Sequence, residues 1–355
     1  MTAPLLSAND WPALPLDGAR RYLAPPRRST GLGVDRKVGL ELEFGGVEVA
    51  PTMAAIADIF GGTVEQLQPT LGEVRGTRYG DFGVELDSTM FTERKYVESL
   101  RRVGLDIERD RVLAQAEETV LRVVREIIPF EVVTPPIPWS RLAELDVLWE
   151  RLRAMGAQGT HARWHYSFGL HINVEIANSA PETLLAPLKA FLLLEPWLAK
   201  VADPALSRRV GPHIRPFPRE YRELVLAVDY WPDWPRLIDD YLNYNPTRSR
   251  PLDLLPLFAD RDLEAIRARV EDPHLVKPRP AFHYRLPNCD IDKPDWSPVD
   301  DWNRWVFVER VANSEALTTL CERFARAQQS LSLGDPWPDE LEAWLAQCPS
   351  EAPDH

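Results

Sequence analysis

Five short segments of the chain carry acids, imidazoles or a guanidinium at alternate positions. In KVGLELEFGGVEV, Glu41 and Glu43 take one parity, while Val38, Leu40, Leu42 and Phe44 take the other. In 77–88, Glu85 and Asp87 separate from Phe82, Val84 and Leu86 in the same way. Glu131 is the second residue of FEVVT at 130–134, and over 164–176 His171 and Asn173 alternate with Leu170, Ile172 and Val174. In FHYRLPNCD, His283 and Arg285 oppose Phe282, Tyr284 and Leu286. Period two is the pattern of a strand with one face buried and one wet. The polar faces together offer carboxylates and imidazoles, a donor set that suits magnesium or manganese better than zinc. Like charges gathered on one surface repel, and divalent cations relieve that repulsion. Two such ions can bridge the β- and γ-oxygens of ATP, and Arg285 in the same cleft would stabilise a transferred phosphoryl group. No GxxxxGK[ST] occurs in the chain, so phosphate binding falls to metal and arginine.

Helices must back the strands that present these groups. Helical periodicity predicts elements over 51–60, 93–128, 139–155, 181–202, 299–330 and 337–347, with shorter patches at 234–243, 251–258 and 262–271. Strands with one apolar face plus long amphipathic helices imply an α+β fold: an antiparallel sheet whose apolar face is covered by helices. The expected organisation is a poorly ordered leader over 1–34, a catalytic domain over 35–335 in which 93–128 is a helical insertion, and a terminal helix and tail over 336–355.

Composition excludes several classes of function. The 355 residues carry a net charge of −13, which argues against nucleic-acid and anionic-membrane binding. The three cysteines, Cys289, Cys321 and Cys348, are widely spaced and form no CxxC, so neither a disulfide framework nor a thiolate zinc site is expected. The N-terminal residues lack a basic stretch followed by an apolar core, and no apolar run reaches membrane-spanning length. The expectation is a cytoplasmic protein, with homo-oligomerisation left open.

The order of motifs resembles the amidoligase family. It runs VGLELEF, FGVELDST, FEVVTPPI, a helix ending in RLRAMGA, GLHINV, YNPTRSRPLDLLPL and HYRLPNCD, over about residues 35–330. That family groups with carboxylate–amine ligases of glutamine-synthetase-like fold, related to glutamate–cysteine ligases. The resemblance implies a curved antiparallel sheet with helices on its convex side and an ATP–metal cleft on its concave side. It implies metal ligands at Glu41, Glu43 and Glu131, with His171 at the metal or the nucleotide phosphates. It also matches Asp87, followed by Ser88, Arg285 on the late strand, and Arg248 in the TRSR loop as a contact to substrate or phosphate. The family's late strand carries Glu two residues before the Arg; here His283 stands there, an imidazole ligand in place of a carboxylate. The segment between Asp87 and Glu131 is longer than the family pattern, which suggests a substrate lid or an oligomer contact.

The expected reaction is amide formation from a small-molecule or peptide carboxylate and an amine. ATP and magnesium (or manganese) would drive it through an acyl phosphate, with Glu85 or Asp87 taking the ammonium proton. Two other classes fit the same residues: a metal-dependent hydrolase that activates water, and an inactive binding protein that keeps the fold. Selectivity is expected in the aromatic stretch 203–250, which includes Tyr230, Trp231, Trp234, Tyr241 and Tyr244.

Overall fold

The computed structural model describes residues 11–15, 18, 21–68, 70–86, 129–162, 168–202, 214–329 and 334–351. The expected helix over 93–128 and the site residue Asp87 lie outside them. The expected strand 164–176 is described only in part, because 163–167 lie outside.

In chain order the elements are β1 (Lys37–Phe44), α1 (Val49–Phe60), β2 (Thr63–Gln68), β3 (Leu71–Thr77), β4 (Gly80–Leu86), β5 (Phe130–Val133), β6 (Ile137–Pro138) and α2 (Asp146–Ala154). Next come β7 (Leu170–Glu175), α3 (Pro181–Ala202), α4 (Arg219–Leu226), α5 (Trp234–Tyr244), β8 (Leu252–Asp253), α6 (Leu255–Arg261), α7 (Leu263–Arg267) and β9 (Ala281–Tyr284). The series ends with α8 (Val299–Ala312), α9 (Ala316–Gln328) and α10 (Trp337–Leu345). The strands form one open antiparallel sheet in the order β2-β3-β4-β5-β1-β7-β9-β8, with β6 paired to the start of β1.

The parity expected from the sequence is the parity of the sheet. Val38, Leu40, Leu42 and Phe44 are fully buried on one face of β1, and Phe82, Val84, Val132, Ile172, Val174, Phe282 and Tyr284 continue that face across the other strands. Helices cover it. Phe60 of α1 stacks on Phe82 with ring centroids 5.4 Å apart, Phe191 of α3 meets Tyr284 at 5.8 Å, and Trp305 of α8 lies 5.2 Å from Phe282. Burying each such side chain contributes roughly 1.5–3 kcal/mol, so the helical face holds the sheet and leaves the other face available for polar groups.

Several elements depart from expectation. The stretch 63–77 gave no strand signal yet forms β2 and β3. β2 is an edge strand, exposed on both sides, so its sequence TVEQLQ carries no alternation to detect. The long helix expected over 299–330 is two helices. Asn313 ends the first by donating its side-chain amide to the Glu309 carbonyl at 2.8 Å, while the apolar periodicity runs on across the break. The helix expected over 139–155 begins with a 3₁₀ turn at Trp139–Leu145, and the late strand stops at Tyr284, leaving Arg285 just past its end.

Arg36 fixes the entrance to β1. Its guanidinium donates to both carboxylate oxygens of Glu309 at 2.8 Å and to the Glu175 carbonyl at 2.7 Å, and Trp305 Nε1 donates to Glu309 at 2.9 Å. Both charged side chains are almost wholly buried, so each depends on the other for neutralisation. Of the residues expected to form the leader, the Leu23 amide donates to Asn303 and its carbonyl accepts from Trp302, both partners lying on α8. Removing one member of a buried ion pair leaves the other uncompensated, at a cost of about 3–5 kcal/mol. Glu309→Ala should lower the unfolding free energy by that amount in urea titration. The double variant Arg36→Met with Glu309→Leu should recover most of it.

Candidate metal centre

The register of the sheet brings the predicted acids and imidazoles into adjacent rows. Glu85 on β4 faces Glu131 on β5, which faces Glu43 on β1. Glu41 on β1 faces His171 on β7. Asn173 on β7 faces His283 on β9, which faces Asp253 on β8. Eight polar side chains from six strands thus share one face, because each sits at the same parity as its neighbour across the ladder.

Glu41 is the hub. Its Oε1 accepts from Asn173 Nδ2 and from the Arg279 guanidinium, both at 2.9 Å, and its Oε2 lies 3.1 Å from His171 Nδ1. Burial opposes its charge, but Arg279, His283 and His171 outweigh that and hold the carboxyl well below its ordinary pKa. An ionised carboxylate only accepts, so His171 carries a proton on Nδ1, which leaves Nε2 as the nitrogen available to a ligand. That nitrogen lies 4.0 Å from Glu43 Oε1. The other carboxylate oxygen of Glu43 accepts the Gly169 amide at 2.6 Å.

Two groups of three side chains bring candidate ligand atoms within 4.8 Å of one another: Glu43 with Glu131 and His171, and Glu41 with His171 and His283. The hydrogen bonds discriminate between them. In the first group His171 offers Nε2 while its Nδ1–H is held by a carboxylate, the arrangement usual for a metal-bound imidazole. In the second group Glu41 is already neutralised by Arg279. His283 Nδ1 stands 3.0 Å from the Arg279 guanidinium, which only donates, and 2.8 Å from Asn173 Oδ1, which only accepts, so it can satisfy one of them at a time. Burial, Arg279, His171 and Arg285 depress the His283 pKa well below the usual histidine value, against the pull of Glu41.

Of the expected arginines, Arg285 is half-buried. Burial and Arg248 lower its pKa, while Asp253, Glu43 and Glu41 act in the opposite direction. It donates to the Arg248 carbonyl, and Arg248 Nε lies 3.9 Å from Asp253 Oδ2. Asp253 Oδ2 and Arg248 Nε are both buried and neither has a hydrogen-bond partner, although they face each other just beyond hydrogen-bonding distance. Burial raises the Asp253 pKa against the effect of Arg248 and Arg285.

The structure therefore gathers Glu41, Glu43, Glu85, Glu131, His171 and His283 on one face, with Arg248 and Arg285 beside Asp253 at its edge. Sequence reasoning missed Arg279 and Asp253. Arg279 sits between Pro278 and Pro280, ahead of the strand and outside any alternation. Asp253 fell within an expected helical patch, where the chain instead forms the two-residue strand β8.

A family model described as "Putative amidoligase enzyme" matches residues 34–307, which contain every residue of this face. No curated protein and no solved structure matches the chain.

The depressed pKa values of Glu41 and His283 give a pH prediction. The folded cluster resists both protons, whereas the unfolded chain takes them up near the ordinary values, ~6.5 for His and ~4.3 for Glu. Stability from these groups is therefore fully present above about pH 6.5. It declines first as pH falls through the histidine range and again as pH falls through the folded value of Glu41. Nitrogen NMR should find His283 titrating well below an ordinary histidine, and Arg279→Met should raise its pKa by removing the facing positive charge.

Proposed function

Because the chain belongs to the amidoligase family, we propose that it is an ATP-dependent carboxylate–amine ligase working on the polar face of the sheet. The observation that carries this reading is the convergence of Glu43, Glu131 and Nε2 of His171 within 4.8 Å, with arginines at the edge of the same face. On this reading the open antiparallel sheet is of the glutamine-synthetase-like kind, with the site on its concave side. Glu43, Glu131 and Nε2 of His171 would hold magnesium or manganese, whose chemistry is to withdraw charge from the transferring γ-phosphoryl group. The donor set fits: two carboxylates and an imidazole carry enough negative charge to need a cation and enough oxygen to prefer a hard one.

The chain's own residues then have separable tasks. Glu41 fixes the His171 tautomer through Nδ1–H, and Arg279 and Asn173 fix Glu41. Arg285 and Arg248 supply guanidinium donors for phosphate oxygens, their charge balanced by Asp253 until a phosphate arrives. The substrate carboxylate oxygen attacks the γ-phosphorus and ADP leaves. The amine nitrogen then attacks the acyl carbon and inorganic phosphate leaves. Glu85, in register with Glu131, would accept the ammonium proton before that attack.

One observation favours a second reading. Glu41, His171 and His283 make a set of one carboxylate and two imidazoles, which suits a softer metal and water activation by a hydrolase. Product analysis separates the two. The ligase releases ADP and phosphate only when an acid and an amine are both supplied; a hydrolase turns over without ATP, and AMP with pyrophosphate would contradict the acyl-phosphate route. Glu43→Gln and His171→Ala should each lower ADP release by about 100-fold or more, the scale seen when one group stabilising a transition state is removed.

A further inference from the structure

The polar face does not end at the carboxylates. Where β1 begins and β7 ends, a cleft of about 540 Å³ opens, within the ~300–1,000 Å³ typical of small-molecule sites. Its floor belongs to the same face as the candidate metal centre. Lys37, Gly39, Glu41 and Glu43 share one parity of β1, and Glu175 stands opposite Lys37 on β7, two residues beyond Asn173. Gly39 has no side chain, so nothing on β1 rises between Lys37 and Glu41. The cleft and the centre also share a wall: Pro280 lines the cleft, and the adjoining Arg279 donates to Glu41 and lies against His283.

The lining is charged and balanced. Lys37 and Arg261 contribute cations; Glu175 and Asp260 contribute carboxylates. A polyphosphate would meet the two carboxylates, and a polyamine would meet the two cations. A peptide-like zwitterion brings one charge at each end, and a terminus of either sign finds an oppositely charged partner in this lining. These groups are held in place before any ligand arrives. The Arg261 guanidinium lies 4.2 Å over the Trp234 ring, the Trp234 indole donates to the Ser179 carbonyl at 2.9 Å, and Glu175 Oε2 accepts the Lys37 amide at 2.8 Å. Beside them a tight hairpin projects Leu32, 90% exposed, and Val34, 54% exposed. It is closed by the Thr30 amide on the Val34 carbonyl at 2.8 Å and turned at Gly33, whose φ of 76° is left-handed. Apolar groups held over a charged cleft suit a ligand with side chains between its charged ends.

Distance sets the length of that ligand. Lys37 and Glu41 are four residues apart on one strand, about 14 Å at ~3.4 Å per residue. A free amino acid seated in the cleft would keep its reacting atoms far from Glu41 and Glu43. An extended chain spans that distance with about four residues. We propose that this cleft binds the remote end of an elongated, peptide-like zwitterion, which rests on the ligase reading only in making that molecule the substrate whose near end reaches the candidate metal centre.

The test is calorimetric titration of the full chain, without nucleotide or metal, with L-alanine, di-, tri-, tetra- and penta-alanine. Affinity should rise with length and level off near four residues. Of Lys37→Met and Asp260→Asn, at exposed positions away from the metal centre, the one facing the seated terminus should weaken tetra-alanine binding about tenfold, the scale of one lost charge-assisted contact. ADP–magnesium binding should be unchanged in both variants. Equal affinity for alanine and tetra-alanine, absence of saturable binding, or wild-type affinity in both variants would overturn the proposal. The assay is separable from the ligase reading. Oligo-alanine binding without ADP release would leave the cleft standing and remove the ligase, and ADP release without oligo-alanine binding would do the reverse.

Discussion

A carboxylate set into a folded surface has to be neutralised, and in this chain that requirement organises the face around Glu41. Its partners come from distant parts of the sequence: His171 and Asn173 on the neighbouring strand, and Arg279 from the loop that leads into β9. Each contact also fixes something else. The bond to His171 determines which imidazole nitrogen is left for a ligand, and the bond to Arg279 holds β9 and its histidine against β7. A side chain with so many dependents is better suited to orienting the site than to being one more ligand in it. On the ligase reading, holding the metal falls to Glu43, Glu131 and Nε2 of His171.

The same strands hold the fold and the site apart. Their apolar parity packs under α1, α3 and α8 through large rings, and their polar parity carries the charges. Substitutions on the polar parity are thus expected to change chemistry with modest effect on stability, whereas the buried pair Arg36 and Glu309 works in the opposite sense. Arg36 also connects the two sides: it sits one residue before Lys37 and binds the Glu175 carbonyl, so the anchor of the core is also the edge of the cleft at the end of the polar face.

Much of this was legible in the sequence because the strand parity it predicts is the parity of the sheet among the described residues. Glu41, Glu43, Glu131, His171 and His283 could be assigned to one face from alternation alone, and the register of the sheet then brought them together. Arg279 was not legible, since a residue between two prolines belongs to no periodic element. Asp253 was hidden because its strand is two residues long and flanked by leucines that read as helix. β2 was hidden because an edge strand need not bury either face, and the break at Asn313 because the apolar stripe continues through it. The orientation of His171 was beyond the sequence for another reason: which of its nitrogens is available depends on a carboxylate 130 residues away.

The most direct test of the central claim is an anomalous-scattering experiment on crystals grown with manganese and a non-hydrolysable ATP analogue. The account predicts a manganese peak bonded to Glu43, Glu131 and Nε2 of His171, with the terminal phosphate of the analogue between that ion and Arg285. A peak held instead by Glu41, His171 and His283, or a nucleotide bound away from this face, would contradict it.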